Sequence, residues 1–285
     1  MQPSTSAQEN TGVGPEAEHA LWLADRTAMV AGPHGNLALI DYEPVGEEPE
    51  RLANLPASAE VDLAAEGIRL TLDEGVEVTV DGVPASGQVF LARLRPDGAP
   101  LLAHGTLTVD AFSLDGTDYE LRVYDSQART LIDFDRIEAY PYDPAMVIEG
   151  RFKAFEETGQ VPWDFTRSSD SGHAKKVPGV VAVRVGDVDY ELLAFLDGAH
   201  LVLVYSDGTT GAESYAPGRF LRMPCPDPGP GGECPVTVDF NRTFVPPCGF
   251  SNFYSCPIPP PQNRIAVPVR AGEQRVRWHG DGAGH

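Results

Sequence analysis

A mainly β chain of two sandwich- or barrel-like parts, with one short helix near its N-terminus, is what the sequence predicts. Three observations carry this. Short runs such as GIRLTLDEG and VEVTVDG alternate apolar with polar residues. Gly, Asp and Pro cut those runs at close intervals, as turns between antiparallel strands do. Only EAEHALWLADRTAMV places apolar residues, Leu21, Trp22, Ala28 and Met29, near helical spacing.

Taken in order, residues 1–17 are small and polar and read as a disordered tail. The helix follows and should stop near Gly32 and Pro33, because proline disfavours helical geometry at the residue before it. A helix-plus-sandwich part is expected over 18–135. Within it Val76, Val78 and Val80 stand two apart on one strand face, and Asp81-Gly82 supplies a turn able to take positive φ. The prolines of YPYDPAMVIEGRF mark a junction near 135–144, and TRSSDSGHAKK reads as a loop. A second β domain is expected over 140–273, built from VVAVRVGDVDYELLAFLDGAHLVLVYSDGTTG and PVTVDFN and ending in a proline-rich run. Residues 274–285 read as a frayed tail.

At 285 residues the chain is long enough to bury its core without disulfides or metals. It carries 42 acidic and 21 basic residues, a net charge of -21. Such a surface repels phosphate backbones and anionic lipid alike, so neither nucleic acid nor membrane is an expected partner. The N-terminal stretch lacks the basic cap and apolar run of a signal peptide, and no run approaches the ~20 apolar residues of a membrane span. A cytoplasmic location is therefore expected, in which four cysteines are thiols by default.

The chemistry-bearing residues concentrate between Glu213 and Asn263, in ESYAPGRFL, VDFNR and PPCGFSNFYSCPIPPPQN. Loops of this composition often carry function, although prolines and asparagines also simply fold a loop over a sheet. Cys225, Cys234, Cys248 and Cys256 have eight, thirteen and seven residues between them, unlike the close pairs of zinc sites, so no metal and no cofactor is expected. Inert thiols are the simplest state, with Cys248 and Cys256 a redox pair as the alternative. Seven histidines show no HxH or HExxH spacing, and no GxSxG elbow, Walker loop or GxGxxG is present. Arg219 and Asp239 are expected on neighbouring strands, either neutralising each other or gripping a polar ligand with Tyr215 beside them. In an extended VDFNR, Asp239 and Asn241 would leave the same face.

The run ESYAPGRFL, then VDFNRTFVPPCGFSNFYSCPIPPPQNRIAVPVRAGE, resembles the bacterial and archaeal family termed domain of unknown function 1684. The likeness extends through YPYDPAMVIEGRF and back to WLADRTAMVAGPHGNLALIDY. It singles out Glu213, Tyr215, Arg219, Asp239, Asn241, Arg242, Cys248, Cys256 and Asn263, and it implies no reaction. Ala216-Pro217 departs from the more usual Gly-Ala step, and the insert PCPDPGPGGECP, with Cys225 and Cys234, looks private to this chain. The first part also resembles a forkhead-associated sandwich, without that fold's phosphothreonine-reading Arg and Ser.

The resulting expectation is a binding protein whose pocket, formed by Tyr215, Arg219, Asp239, Asn241 and Asn263, holds a small polar or anionic molecule. The alternatives are an enzyme, hydrolytic or thiol-dependent, using Cys248 or Asp239 at the same place, and a partner-docking protein. The sequence leaves the oligomeric state open.

Overall fold

The computed structural model describes residues 14–93, 100–113, 119–167 and 174–280. Strands dominate it, with one long helix near the N-terminus. By contacts the chain divides into two units, each discontinuous in sequence. One, here the sandwich unit, comprises Met29–Arg136, Pro247–Cys256 and Val276–His285; the other, here the meander unit, comprises Met1–Ala28, Ile137–Pro246 and Pro257–Arg275. The sequential partition expected above differs: most of the helix groups with the meander unit, and ten residues of the proline-rich run group with the sandwich unit.

In the sandwich unit, strands β1 (Leu39–Val45), β5 (Glu77–Val80), β6 (Val83–Ser86), β8 (Leu102–His104), β9 (Leu107–Phe112) and β10 (Tyr119–Asp125) form a sheet in the order β1-β10-β9-β8-β5-β6. A second sheet has the order β2-β3-β4-β7, from β2 (Glu50–Arg51), β3 (Ala57–Asp62), β4 (Gly67–Leu72) and β7 (Gln88–Ala92). Inward residues of both sheets, among them Ile68, Leu70, Leu91, Leu102, Val109 and Leu121, share one core. Val76, Val78 and Val80 all pack into it, as their spacing predicts. The β5–β6 hairpin turns through Asp81 (φ 50°) and Gly82 (φ 79°), the positive φ pair a two-residue hairpin requires.

The meander unit is one sheet in the order β16-β15-β14-β13-β12-β17. Its strands are β12 (Val147–Pro162), β13 (Ala174–Val185), β14 (Val188–Asp197), β15 (His200–Tyr205), β16 (Arg219–Pro224) and β17 (Glu233–Asp239). Phe152, Val181, Leu192, Leu203, Val238 and Phe240 lie in its core. Most of the expected loop TRSSDSGHAKK, including His173, lies outside the described residues, while its final Ala-Lys-Lys opens β13.

Helix α1 (Pro15–Val30) begins at a proline, with Glu16 and Glu18 in the first turn, where negative charge favours the helix dipole. It buries a different stripe from the one its apolar residues suggest. His19 and Val30 are buried and Trp22, Leu23, Arg26 and Thr27 half-buried, while Leu21, Ala28 and Met29 are exposed. The helix also takes in the last three residues of the expected tail. At the other end, β18 (Glu273–Trp278) pairs with β11 (Phe134–Ala139), so the frayed tail expected over 274–285 is corrected through Trp278; residues 281–285 lie outside the described residues.

Candidate functional site

Arg219 opens β16 behind Gly218, whose φ of 110° suits glycine and whose missing Cβ would stand 2.5 Å from Pro259 Cγ and 2.7 Å from the Tyr205 carbonyl. This tight turn delivers the arginine wholly into the meander unit, where its relative exposure is 0%. Nη1 donates to the carbonyls of Ala271 (2.8 Å) and Glu273 (2.9 Å), and Nη2 to Asp207 Oδ2 (2.8 Å) and the Val269 carbonyl (2.7 Å). The guanidinium lies between the Tyr140 and Tyr205 rings, 5.8 and 5.7 Å from their centres. Asp207 is equally occupied: its Oδ1 accepts from Thr209 N and Oγ1 (both 2.7 Å) and from Val269 N (3.1 Å). The Tyr205 hydroxyl shares a hydrogen bond with Thr243 Oγ1, and burial pushes its pKa up to about 12.

The partner expected for Arg219 is thereby corrected from Asp239 to Asp207. A charge with no solvent access keeps its charge only against a desolvated counter-charge and carbonyls; Asp207, in the chain reversal between β15 and β16, supplies the first, and Val269, Ala271 and Glu273 supply the second. The reversal SDGTTG reads locally as a turn, so Asp207 carries no sequence signal as a partner.

Asn241 and Asn263, also wholly buried, share one device. Asn263 Oδ1 accepts from Leu193 N (2.8 Å) while its Nδ2 donates to the Leu193 carbonyl (2.9 Å) and the Val204 carbonyl (2.8 Å). Asn241 Oδ1 accepts from Asp143 N (2.9 Å) while its Nδ2 donates to the Asp143 carbonyl (2.9 Å) and to Asp239 Oδ1 (2.9 Å). Each amide thus spans the N–H and C=O of one residue, as a neighbouring strand would. Glu213 is forked by Arg270 (2.8 and 2.7 Å) and accepts from the Tyr140 hydroxyl (3.2 Å); Arg270 chiefly holds its carboxyl below the usual range. Half-buried Tyr215 donates its backbone N–H to Gln274 O (2.8 Å).

Asp239, Asn241 and Arg242 do come together, but not by strand alternation. β17 ends at Asp239, whose Oδ1 accepts from Asn241 N (3.0 Å) and caps a 3-10 turn over Phe240–Arg242. The turn sends Phe240 into the core and Arg242 outward, its Nε 3.7 Å from Asp239 Oδ2 and its Cζ 5.5 Å from the Trp22 ring centre. Among the described residues this half-buried guanidinium makes no hydrogen bond. Beside it lies His19 of α1, only 4% exposed, with ring centres 5.7 Å from Trp22 and 5.8 Å from Tyr142. Among the described residues neither ring nitrogen of His19 has a partner in good hydrogen-bond geometry, although the Tyr140 backbone acts on the ring. Burial, helped by Arg242 and opposed by the Tyr140 backbone and Asp239, lowers its pKa, so the ring is neutral at pH 7.

The expected site residues therefore occupy separate places: Arg219 in the buried ion pair, Asn263 in the sheet, and Asp239, Asn241 and Arg242 at this corner. His19, Trp22 and Tyr142 have no local signal, since they meet the corner only through tertiary packing. All four cysteines are thiols, and Cys256 Sγ accepts from Cys248 N at 3.3 Å. Among the described residues no group of three or more His, Cys, Asp or Glu side chains is placed to hold a metal, and no helix is long and apolar enough to cross a membrane.

The family model described as "Protein of unknown function (DUF1684)" matches residues 132–274, just over half of the chain; the N-terminal stretch from Trp22 lies outside the match. Among solved structures, the solution NMR structure of the uncharacterized protein from gene locus rrnAC0354 of Haloarcula marismortui is 29% identical, with 50% of this chain and 77% of that one covered and a TM-score of 0.41. No curated protein matches the chain.

Proposed function

The chain belongs to the DUF1684 family, and from that premise we propose that it is a binding protein for a small polar or anionic molecule, held at the corner of Asp239, Arg242, His19, Trp22 and Tyr142. The observation that carries this reading is His19. Among the described residues this buried neutral imidazole has no well-formed hydrogen bond beyond the influence of the Tyr140 backbone, and an unmet buried polar group costs about 1–3 kcal/mol, a cost a ligand contact removes. Arg242 stands beside it with five N–H donors and only a loose carboxylate neighbour. Acceptor oxygens of a ligand suit Arg242 and the His19 N–H, a ligand hydroxyl suits the remaining imidazole lone pair, and the Trp22 and Tyr142 rings offer apolar faces.

The same geometry favours binding over turnover. Asp239 is occupied as a cap, and among the described residues His19 has no hydroxyl or thiol hydrogen-bonded to it that it could activate as a nucleophile. Arg219 supports the site only indirectly, by fixing the sheet from which β17 and the 3-10 turn project.

Thermal melts against a panel of small carboxylates, phosphate esters and sugars test the proposal, since a ligand that binds the folded state alone raises the melting temperature by mass action. At least one class is expected to stabilise the parent chain by several degrees and to lose most of that effect in Arg242→Ala and His19→Phe. Failure of every class, or a shift that both variants retain, rejects the corner as the site.

A further inference from the structure

Ten residues, Pro247–Cys256, leave the meander unit and pack within the sandwich unit, and the chain returns at Pro257. Two contacts anchor this excursion inside its unit. Ser251 Oγ donates to the Leu39 carbonyl at 2.7 Å, and Tyr254 packs against the cluster of Ala38, Leu39 and Tyr124. Cys248 and Cys256 stand at its two ends.

The geometry of those ends is close. Cys256 Sγ lies 3.3 Å from the backbone nitrogen of Cys248. A cysteine in either gauche χ1 rotamer keeps its own sulfur about 3 Å from its own nitrogen, by ordinary bond lengths and staggered geometry. Both sulfurs then lie close to the Cys248 nitrogen, which places the two thiols in one neighbourhood at the neck of the excursion. The residues between close a short ring whose conformation is already held by a 3-10 turn over Pro247–Gly249 and by the Ser251 and Tyr254 contacts.

We propose that Cys248 and Cys256 are a reversible redox pair whose disulfide clasps the neck of the excursion. The oxidant is a low-molecular-weight disulfide. One cysteine thiolate attacks it, forming a mixed disulfide and expelling one small thiolate. The second cysteine thiolate then attacks the protein sulfur of that intermediate and expels the other. Two protein thiols lose two electrons and two protons in total, and one small disulfide becomes two small thiols. Closing a loop of this length restricts the open form of the excursion more than the docked form, so oxidation favours docking.

The four cysteines separate cleanly for the test. Cleavage after arginine places Cys248 and Cys256 together in Thr243–Arg264 and Cys225 and Cys234 together in Met223–Arg242. The folded full chain is equilibrated with oxidised and reduced glutathione, quenched by alkylation and mapped by mass. Thr243–Arg264 is expected about 2 Da lighter than its reduced, unalkylated mass, with Met223–Arg242 doubly alkylated. Hydrogen exchange over the excursion should slow several-fold on oxidation. In Cys256→Ser, Cys248, the less buried of the two, should instead carry a glutathione adduct, the trapped first step. Persistent alkylation of both Cys248 and Cys256, separate glutathione adducts on both in the parent, or the mass loss in Met223–Arg242 instead would overturn the proposal.

Discussion

Two residues show what burial does to a polar group in this protein. Asp110, on the outward face of β9 opposite Arg122 of β10, has one carboxylate oxygen buried without a partner among the described residues. Burial raises its pKa to about 6, against the pull of Arg122 and with the push of Glu120. A carboxyl whose folded pKa lies above its unfolded 3.8 holds its proton more tightly when folded. The penalty on the fold is therefore absent below pH 4, grows as pH rises through 6, and is complete above it. Asp110→Asn is expected to be more stable than the parent at pH 7.5 by about 3 kcal/mol, with the gap closing by pH 4, as denaturant melts at several pH values would read. A constant gap across that range would mean the carboxyl is not buried. Asn263 is the opposite case, a buried amide fully used. Asn263→Ala leaves the Leu193 N–H and two carbonyls unmatched, and should cost about 2–4 kcal/mol in the same melts; an unchanged midpoint would show that water replaces the amide. Neither role is legible in the sequence, where Asn263 ends a proline-rich run and Asp110 sits among alternating strand residues.

Elements were legible where their cause is local. Asp81-Gly82 makes the β5–β6 turn because both positions need positive φ, a property the residues themselves declare. Helix α1 was legible in position but not in facing, because its anchor is polar. Arg26 donates to Glu273 Oε1 from Nε (2.7 Å) and to Oε2 from Nη2 (3.2 Å); the Glu273 side chain has no exposure and takes a further bond from Val245 N (2.8 Å). An apolar-periodicity reading gives weight to Leu21 and Met29, and these face solvent. VDFNR misled in a similar way: an extended count fails once Asp239 caps the turn that follows. Removing Arg26 strands a buried carboxylate, so Arg26→Ala should destabilise the chain by about 3–5 kcal/mol. Adding Glu273→Gln should recover part of that loss. Equal losses in the single and double variants would show that the helix is held by packing and not by this ion pair.

At the scale of the whole chain, sequence order and contact order disagree. The prolines of YPYDPAM suggest a boundary near 135–144, while by contacts β11 is shared between two discontinuous units, Arg136 ending a segment of one and Ile137 opening a segment of the other. The discontinuity is invisible locally, because the meander unit recruits residues 1–28 and gives up 247–256 through contacts made across the length of the chain. A fragment of residues 144–273 therefore contains the whole β12–β17 sheet yet lacks what completes it. Glu273 loses Arg26, and Arg219 and Glu213 lose Tyr140. The excursion, meanwhile, keeps Ser251 and Tyr254 without Leu39 and Tyr124 to meet them. Unmet buried charge and exposed aromatic surface are the conditions for a loosely packed state that keeps strand content but not a unique core. The fragment is expected to show a β circular-dichroism signal, to bind a hydrophobic dye, and to melt without a sharp transition, whereas the full chain melts cooperatively. Should the fragment melt as sharply as the full chain and leave the dye unbound, the ion pair and the excursion would be accessories to an independent domain, and the β12–β17 sheet alone would account for its stability.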